Sequence, residues 1–349
     1  MGEMIQNIPK YSIIITAYNR REYLWSAFQS AVSQDYTGNY EIVVVSNFVD
    51  EKIYAESQKN PSFVLYIVNE SELLGRKQVT GILAARGQWL CLLEDDDLFC
   101  RRKLSEIDGI FDTEKNVGII KHPLKPIDSF GNEITYPDPD DLLYRLLNPI
   151  GISADLKRKE YSHYYKIPPV QSDYFNLYSS FSNNSSLMVK REMLLNYLEI
   201  LKNIKLSAEC YFLSLALLER KDLIMAKNVL GMYRIHSSNS SNMRTDPEAA
   251  LNNLAKISSD FKLVSSLPLQ KKYKNTLMTI SSRLQILYLF RMHVNGQLPL
   301  KQIIKPGLLT TLLFALFGKP ERRIFLLPFH SVRTIFRYCM TLQENSTYG

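Results

Sequence analysis

The run Trp89-Leu90-Cys91-Leu92-Leu93 stops at Glu94-Asp95-Asp96-Asp97, so five apolar residues of strand length meet four adjacent carboxylic acids. A short apolar run with a polar boundary reads as a buried strand, although length alone does not exclude a helix. Four like charges at the end of such a strand repel one another unless something positive sits among them. In an open α/β sheet, the carboxyl ends of the strands are where ligands bind. Hard carboxylate oxygens suit Mg²⁺ or Mn²⁺, and Mg²⁺ takes one or two of them together with substrate phosphates. An acidic tetrad can also be a solvated turn. The strand in front of it, and the pattern around it, favour a metal–diphosphate site.

Upstream, Tyr11-Ser12-Ile13-Ile14-Ile15 is a β-branched run followed by a helical pattern, with Leu24, Ala27, Phe28, Ala31 and Val32 on one face. Tyr40 to Val45 and Phe63 to Val68 read as further strands, and Gln78 to Arg86 as a helix before Trp89. Strand, helix, strand, strand, helix, strand suggests a largely parallel sheet with covered faces. No G-x-G-x-x-G turn follows the first strand and no Walker-type loop occurs, so a nucleotide here would be held by metal and side chains.

Ser12-Ile13-Ile14-Ile15-Thr16-Ala17-Tyr18-Asn19-Arg20, then Glu41 to Val45, then Gly81-Ile82 with Ala85-Arg86-Gly87, then Leu93 to Asp97 resemble the family 2 glycosyltransferases of GT-A fold in order and spacing. The match is specific over about the first hundred residues and weaker to about residue 241. The resemblance implies a mainly parallel, Rossmann-like sheet with flanking helices. It also implies transfer of a sugar from a nucleotide-diphosphate donor, usually with inversion, assisted by Mn²⁺ or Mg²⁺. By the same resemblance Asp96 is a metal ligand, Glu94 contacts the donor ribose or sugar, Asp95 belongs to the donor site and Asp97 supports them. Glu94 departs from the family's first Asp. Ala17, Tyr18 and Arg20 line the donor pocket, and Asn47 stands with Ser46 where the family presents acids that read the base. An Asn amide both donates and accepts, which suits a pyrimidine edge and also guanine.

The family places a catalytic base at the start of a helix roughly a hundred residues after the metal motif. Here that is Ser207-Ala208-Glu209-Cys210-Tyr211, ahead of Leu213, Leu215 and Leu217. One register puts Glu209 on the first acid of the family's pair and Cys210 on the second; a shift of one residue puts Glu209 on the second. A thiol is a poor base at neutral pH, so Glu209 is the candidate, although a carboxylate in a first helical turn is also favoured by the dipole alone. Tyr233-Arg234-Ile235-His236 resembles the family's Y-R-x-H element, which implies His236 as a metal ligand or diphosphate contact. Arg234 suits either phosphate or a structural ion pair.

Between these motifs, Asp128 to Asn132 reads as a hairpin turn with glycine at a positive-φ position. The Tyr- and Pro-rich stretch 136–171 reads as an irregular insertion over the acceptor side. Asn183 to Glu192 matches the family's acceptor-side strand and following helix.

Charge is uneven along the 349 residues. Residues 250–349 hold 14 Lys/Arg and 3 Asp/Glu, a balance of +11, against 28 basic and 32 acidic in the rest. A basic end argues for an anionic partner surface. Pro306 to Gly318 is intensely apolar but shorter than the roughly 20 residues that span a bilayer. Arg322, Arg323, Arg333 and Arg337 follow it, so 306–340 reads as a membrane-interfacial segment or as helices packed on the domain. No nucleic-acid motif appears. Four scattered cysteines and a polar start predict a reduced, cytoplasmic setting, peripheral at the inner face of the cell membrane.

The expected architecture is thus an α/β GT-A domain over 1–245, with a donor half to about 120 and an acceptor half from about 121. A basic helical extension over 246–349 follows. The expected activity is sugar transfer from a nucleotide-sugar donor to a glycan or lipid-linked acceptor. A non-catalytic sugar-nucleotide-binding scaffold and a nucleotidyltransferase are the alternatives.

Overall fold

β-Branched residues on both faces of β1 (Tyr11–Ala17) leave no polar side to turn toward water, and all of its residues are buried. A strand of that kind needs a covering layer above and below. The computed structural model, which describes residues 8–111, 114–135, 156–169, 174–237, 239 and 247–294, supplies both. Helix α1 (Leu24–Val32) buries Leu24, Ala27, Phe28 and Ala31 against one face. Strand β2 (Tyr40–Ser46), helix α2 (Glu51–Lys59), strand β3 (Val64–Val68), helix α3 (Leu74–Ala84) and strand β4 (Trp89–Glu94) complete the first half.

β2 and β3 are parallel, and parallel neighbours need a crossover. That crossover is α2, absent from the sequence pattern because it buries only Ile53 and Ser57. What starts it is Asp50, whose carboxylate accepts from the N–H groups of Lys52 and Ile53 at 3.1 Å. Helix α3 begins at Leu74, four residues before the predicted start.

Beyond the acids come β5 (Leu98–Phe99), α4 (Lys103–Phe111), β6 (Val117–Lys121) and β7 (Leu124–Ile127). The predicted turn follows, with Gly131 at φ +92° and Asn132 N–H donating to the Asp128 carboxylate at 2.8 Å. The Tyr-rich stretch is not wholly irregular: it contributes β8 (Lys159–Glu160) and β9 (Tyr164–Ile167), while 136–155 and 170–173 lie outside the described residues. Next are α5 (Tyr174–Ser180), β10 (Leu187–Lys190), α6 (Leu198–Leu201), α7 (Ala208–Leu218), β11 (Asp222–Ala226) and β12 (Gly231–Arg234). A single 3-10 turn, 191–193, stands where a helix was expected straight after β10.

The main sheet of the described residues has nine strands in the order β3-β2-β1-β4-β10-β6-β11-β9-β8, and β5-β12-β7 form a second, smaller sheet. β3, β2, β1 and β4 run parallel, β10 runs antiparallel between β4 and β6, and β11 returns parallel to β6. In register, Thr16 faces Glu94 and Ala17 faces Ser46, so β1, β2 and β4 end together at one crevice.

At the opposite end, several motif residues do structural work. Buried Glu41 accepts from Ser12 Oγ (2.6 Å), Arg86 N (2.6 Å) and Arg86 Nε (2.7 Å), and Gly87 N–H donates to Ser12 Oγ at 2.8 Å. A Cβ on Gly87 would fall 2.6 Å from Ser12 N, which only glycine avoids.

Helices α8 (Pro247–Val264) and α9 (Lys271–Val294) pack onto this domain. Phe261, Val264, Leu267, Tyr273 and Leu277 share one core with Leu213, Leu215 and Leu217 of α7. The expected interfacial segment 306–340 lies outside the described residues, and no helix of the described residues is long and apolar enough to cross a membrane.

Candidate active site

The carboxylates cluster at the end of β4. Glu94, Asp96 and Asp97 each place one oxygen within 4.8 Å of the others, and Asp96 Oδ1, Asp97 Oδ2 and Asp95 Oδ2 are buried with no hydrogen-bond partner. Orphaned buried carboxylate oxygens are costly. Burial first, then the neighbouring Asp96 charge, pushes the Glu94 carboxyl up to about 8. Burial likewise lifts Asp95 to about 6, against the opposing pull of Arg20, and holds Asp97 well above the usual carboxylate range. Close-set hard oxygens with unmet valence are a donor set for a hexacoordinate divalent cation such as Mg²⁺ or Mn²⁺.

β1 brings cationic and aromatic groups to the same place. Arg20 Nε donates to Asp95 Oδ1 at 3.1 Å, its Nη2 pairs with the same oxygen, and its Nη1 lies 2.9 Å from Asp96 Oδ2. Ala17 is buried at the strand end, while Tyr18 is exposed beside it. Asn19 takes φ +57°, a left-handed turn that Asn tolerates, and exchanges hydrogen bonds with Asn47 (Asn19 N to Asn47 Oδ1, 2.8 Å; Asn47 Nδ2 to Asn19 Oδ1, 2.6 Å).

β12 closes the far side. Arg234 N–H donates to Asp97 Oδ1 and its Nε to the Asp96 carbonyl, both at 2.9 Å, and its Nη1 reaches the carbonyls of Asp128 and Ser129. Arg234 therefore ties the acidic turn to the 128–132 turn. His236 sits with Nε2 3.0 Å from Asp96 Oδ2 and its ring against Tyr23. The structure thus brings Arg20, Asp95, Asp96 and His236 into one contact set, with Glu94 and Asp97 on its inner side.

Glu209 occupies the first turn of α7, half-buried with its Oε2 atom enclosed, and reaches the cluster through a single turn of chain. Asn183, at φ +74°, donates its N–H to Glu209 Oε1 at 3.0 Å; Asn184 Nδ2 donates to Glu94 Oε1 at 3.0 Å. Glu209 Oε2 has no partner, and burial raises its carboxyl above the ordinary range. Cys210, its rival by register, instead gives its thiol to the Ser207 carbonyl at 3.0 Å and is held protonated by burial.

Three lysines escaped the sequence reading. Lys121, fully buried at the end of β6, donates to the Ser182 carbonyl and Ser186 Oγ. Lys103, at the start of α4, donates to the Ser185 carbonyl at 3.2 Å. Together they hold the 182–186 turn between Glu94 and Glu209, and burial lowers each to about 7. Lys77 of α3 lies 4.4 Å from the Tyr18 ring, its ammonium donating to the Ser71 carbonyl at 3.0 Å. The available signal was a lysine at an apolar position: Lys121 directly follows Ile119-Ile120, as Glu94 follows Leu92-Leu93.

Comparison with known proteins agrees with this geometry. The model of the family "Glycosyl transferase family 2" matches residues 12–162. Residues 12–162 carry a family 2 glycosyltransferase domain. An uncharacterised glycosyltransferase of Haemophilus influenzae is 27% identical over 116 residues, 33% of this chain and 38% of its own length. One from Nostoc sp. is 31% identical over 117 residues, 32% of this chain and 36% of its own. The chain thus spans little more than a third of these relatives. Among solved structures, Staphylococcus aureus TarS superimposes with a TM-score of 0.53 at 14% identity, covering 88% of this chain and 79% of that one. The mannosyltransferase PcManGT of Pyrobaculum calidifontis, solved with GDP-Man and Mn²⁺, gives 0.51 at 14% identity, covering 97% and 87%. These two show that the chain has the GT-A fold.

Proposed function

We propose that this family 2 glycosyltransferase moves a sugar from a nucleoside-diphosphate donor to an acceptor hydroxyl by a single, inverting displacement. The observation that carries the reading is a pair of acidic sites joined by one turn of chain. One is a three-carboxylate cluster with orphaned oxygens; the other is a lone carboxylate, Glu209, with a free oxygen. Support for the donor class comes from the solved relatives: TarS has been captured with UDP and with UDP-GlcNAc, and PcManGT with GDP-Man.

Glu94, Asp96 and Asp97 would hold Mn²⁺ or Mg²⁺, with His236 beside Asp96; a divalent ion there supplies Lewis-acid stabilisation of the charge that develops on the leaving diphosphate. Arg20 offers a planar fork to phosphate oxygens at the same rim. Tyr18 presents its ring and Asn47 its amide where β1 and β2 end, which suits a nucleoside seated on the crevice wall. Glu209 accepts the proton of the acceptor hydroxyl. Its raised proton affinity brings it nearer the operating pH, where general-base catalysis is most efficient. The Asn183–Ser186 turn links the two acidic sites, Asn184 bonding to Glu94 and Asn183 to Glu209.

The acceptor is a glycan or a lipid-linked saccharide. The net charge of +11 over residues 250–349 supports a peripheral place on an anionic membrane surface.

The test is to screen the full chain with Mn²⁺ against UDP- and GDP-sugars by thermal shift, then to measure products with the donor that stabilises it. Release of nucleoside diphosphate is expected. Release of pyrophosphate, or binding with no turnover on any glycan or lipid-linked acceptor, overturns the assignment.

A further inference from the structure

Helix α7 carries the candidate base, yet it begins without a side-chain cap of its own. Ser207 stands at the capping position, but its hydroxyl is engaged by Tyr178 OH at 2.8 Å. The stretch leading into α7 is held instead by an acceptor on α8, 53 residues further along the chain. Asp260, fully buried, accepts from the N–H groups of Lys205 at 2.9 Å, Leu206 at 2.8 Å and Ser207 at 2.9 Å. Burial raises the Asp260 carboxyl above the ordinary range, and these three charge-assisted bonds pull the other way, toward the ionised form. Packing alone does not call for it. Phe261 stands edge-on to the Tyr178 ring at 4.8 Å, and Val264 and Leu267 are buried in the same core, so α8 would be held without a carboxylate. A charge buried at such a place is costly unless it is matched, and here it is matched by the three N–H groups leading into the turn that bears Glu209.

We propose that Asp260 is a positioning residue for sugar transfer. Supplied by the first C-terminal helix, it sets where α7 begins and so fixes the reach of the Glu209 carboxylate toward the acceptor hydroxyl. The proposal rests on Glu209 being the base. It makes α8 a working part of the catalytic domain rather than an appendage.

Three charged groups act on Glu209 from the elements around it. Asp260 from α8 and Glu94 from β4 disfavour its ionisation; Lys121 from β6 favours it. Removing the Asp260 charge therefore lowers the Glu209 pKa and moves the acidic limb of the rate profile to lower pH.

The experiment compares D260N, D260E and E209Q in the full chain, measuring kcat, donor KM, donor affinity by calorimetry and the pH profile. For D260N the expected result is a kcat about ten- to hundredfold lower, as for a base moved by a fraction of an ångström to one ångström. Donor affinity should stay within about twofold by the same argument, and the acidic limb should move down. D260E keeps the charge but displaces the anchor on residues 205–207, so kcat falls while the limb stays. If E209Q abolishes turnover while both Asp260 variants keep wild-type kcat and pH profile, the positioning role is wrong and the base stands. A loss of donor affinity matching the loss of kcat in both variants also overturns it, since that is what general destabilisation gives. If E209Q retains turnover, the base assignment itself has failed.

Discussion

The donor rim and the inner wall of the crevice handle charge in opposite ways. At the rim, Arg20 meets the charges of Asp95 and Asp96 at the ends of strands that lie side by side, and the His236 ring meets Asp96 from the second sheet. Along the inner wall, charges meet neutral groups. Lys121 and Lys103 bond to carbonyls and a hydroxyl, Glu209 to one backbone N–H, and Asp260 to three. The rim can exchange its internal ion pairs for those of a ligand without disturbing the fold. The wall cannot, because its partners are pieces of backbone whose positions are the fold. Ligand affinity should therefore follow the rim, and rate should follow the wall.

The sharpest way to break that division is E209Q, which should cut turnover by about 10²–10⁴-fold, the usual worth of a general base, while calorimetry shows donor affinity unchanged. A parallel loss of affinity would put Glu209 at the rim. Asp96→Ala tests the other side. The Mn²⁺-dependent part of nucleotide affinity should disappear; if it persists, the acidic cluster does not hold the ion.

Lys121→Met comes next in size. Lys121 favours the ionised form of Glu209, so its loss should move the acidic limb of the rate profile up by about one unit, a tenfold effect on rate below that limb. A limb that stays in place would show the two groups to be uncoupled.

A smaller effect concerns pH and metal together. The Glu94 carboxyl is raised in the folded chain from its ordinary 4.5 to about 8, and that of Asp95 from 3.8 to about 6. Stability tied to their protonated forms is fully present below the unfolded values. It is lost as pH rises through about 6 and then about 8. A cation needs the ionised forms, so the rise in melting temperature on adding Mn²⁺ should be larger at pH 8 than at pH 6. Each kcal/mol of added stabilisation is worth about 2–4 °C. An equal rise at both values would argue that the acids are already ionised at pH 6. Smallest of all, Asp50→Ala removes only the cap of α2, outside both regions. It should cost about 1 kcal/mol in denaturant unfolding and leave turnover alone.

Strands β1 to β4 were readable at nearly their true bounds, because each is a mostly apolar run of strand length. Helix α2 was not: with Ile53 and Ser57 as its only buried residues, its apolar pattern is too thin to read, and Asp50 announces it only once the crossover is known. Of the site, Arg20, the four acids, Glu209 and His236 could be read as a familiar order of motifs. Lys103, Lys121 and Asp260 could not, since lysine and aspartate belong on surfaces by every compositional rule.

What the sequence determined by itself is local. Alternation and apolar runs set the strands, and four acids after Leu93 set a place where charge must be neutralised. Tertiary structure decided what lies behind that place. Register between β1, β2 and β4 makes one crevice of three strand ends. A turn at 182–186 joins Glu94 to Glu209, and α8 reaches back to hold the residues that lead into the helix Glu209 stands on. Those contacts join residues 26 to 90 positions apart. Chain periodicity carries no information at that separation, because the energy that selects such contacts comes from burying a charge only where its partner has already been brought.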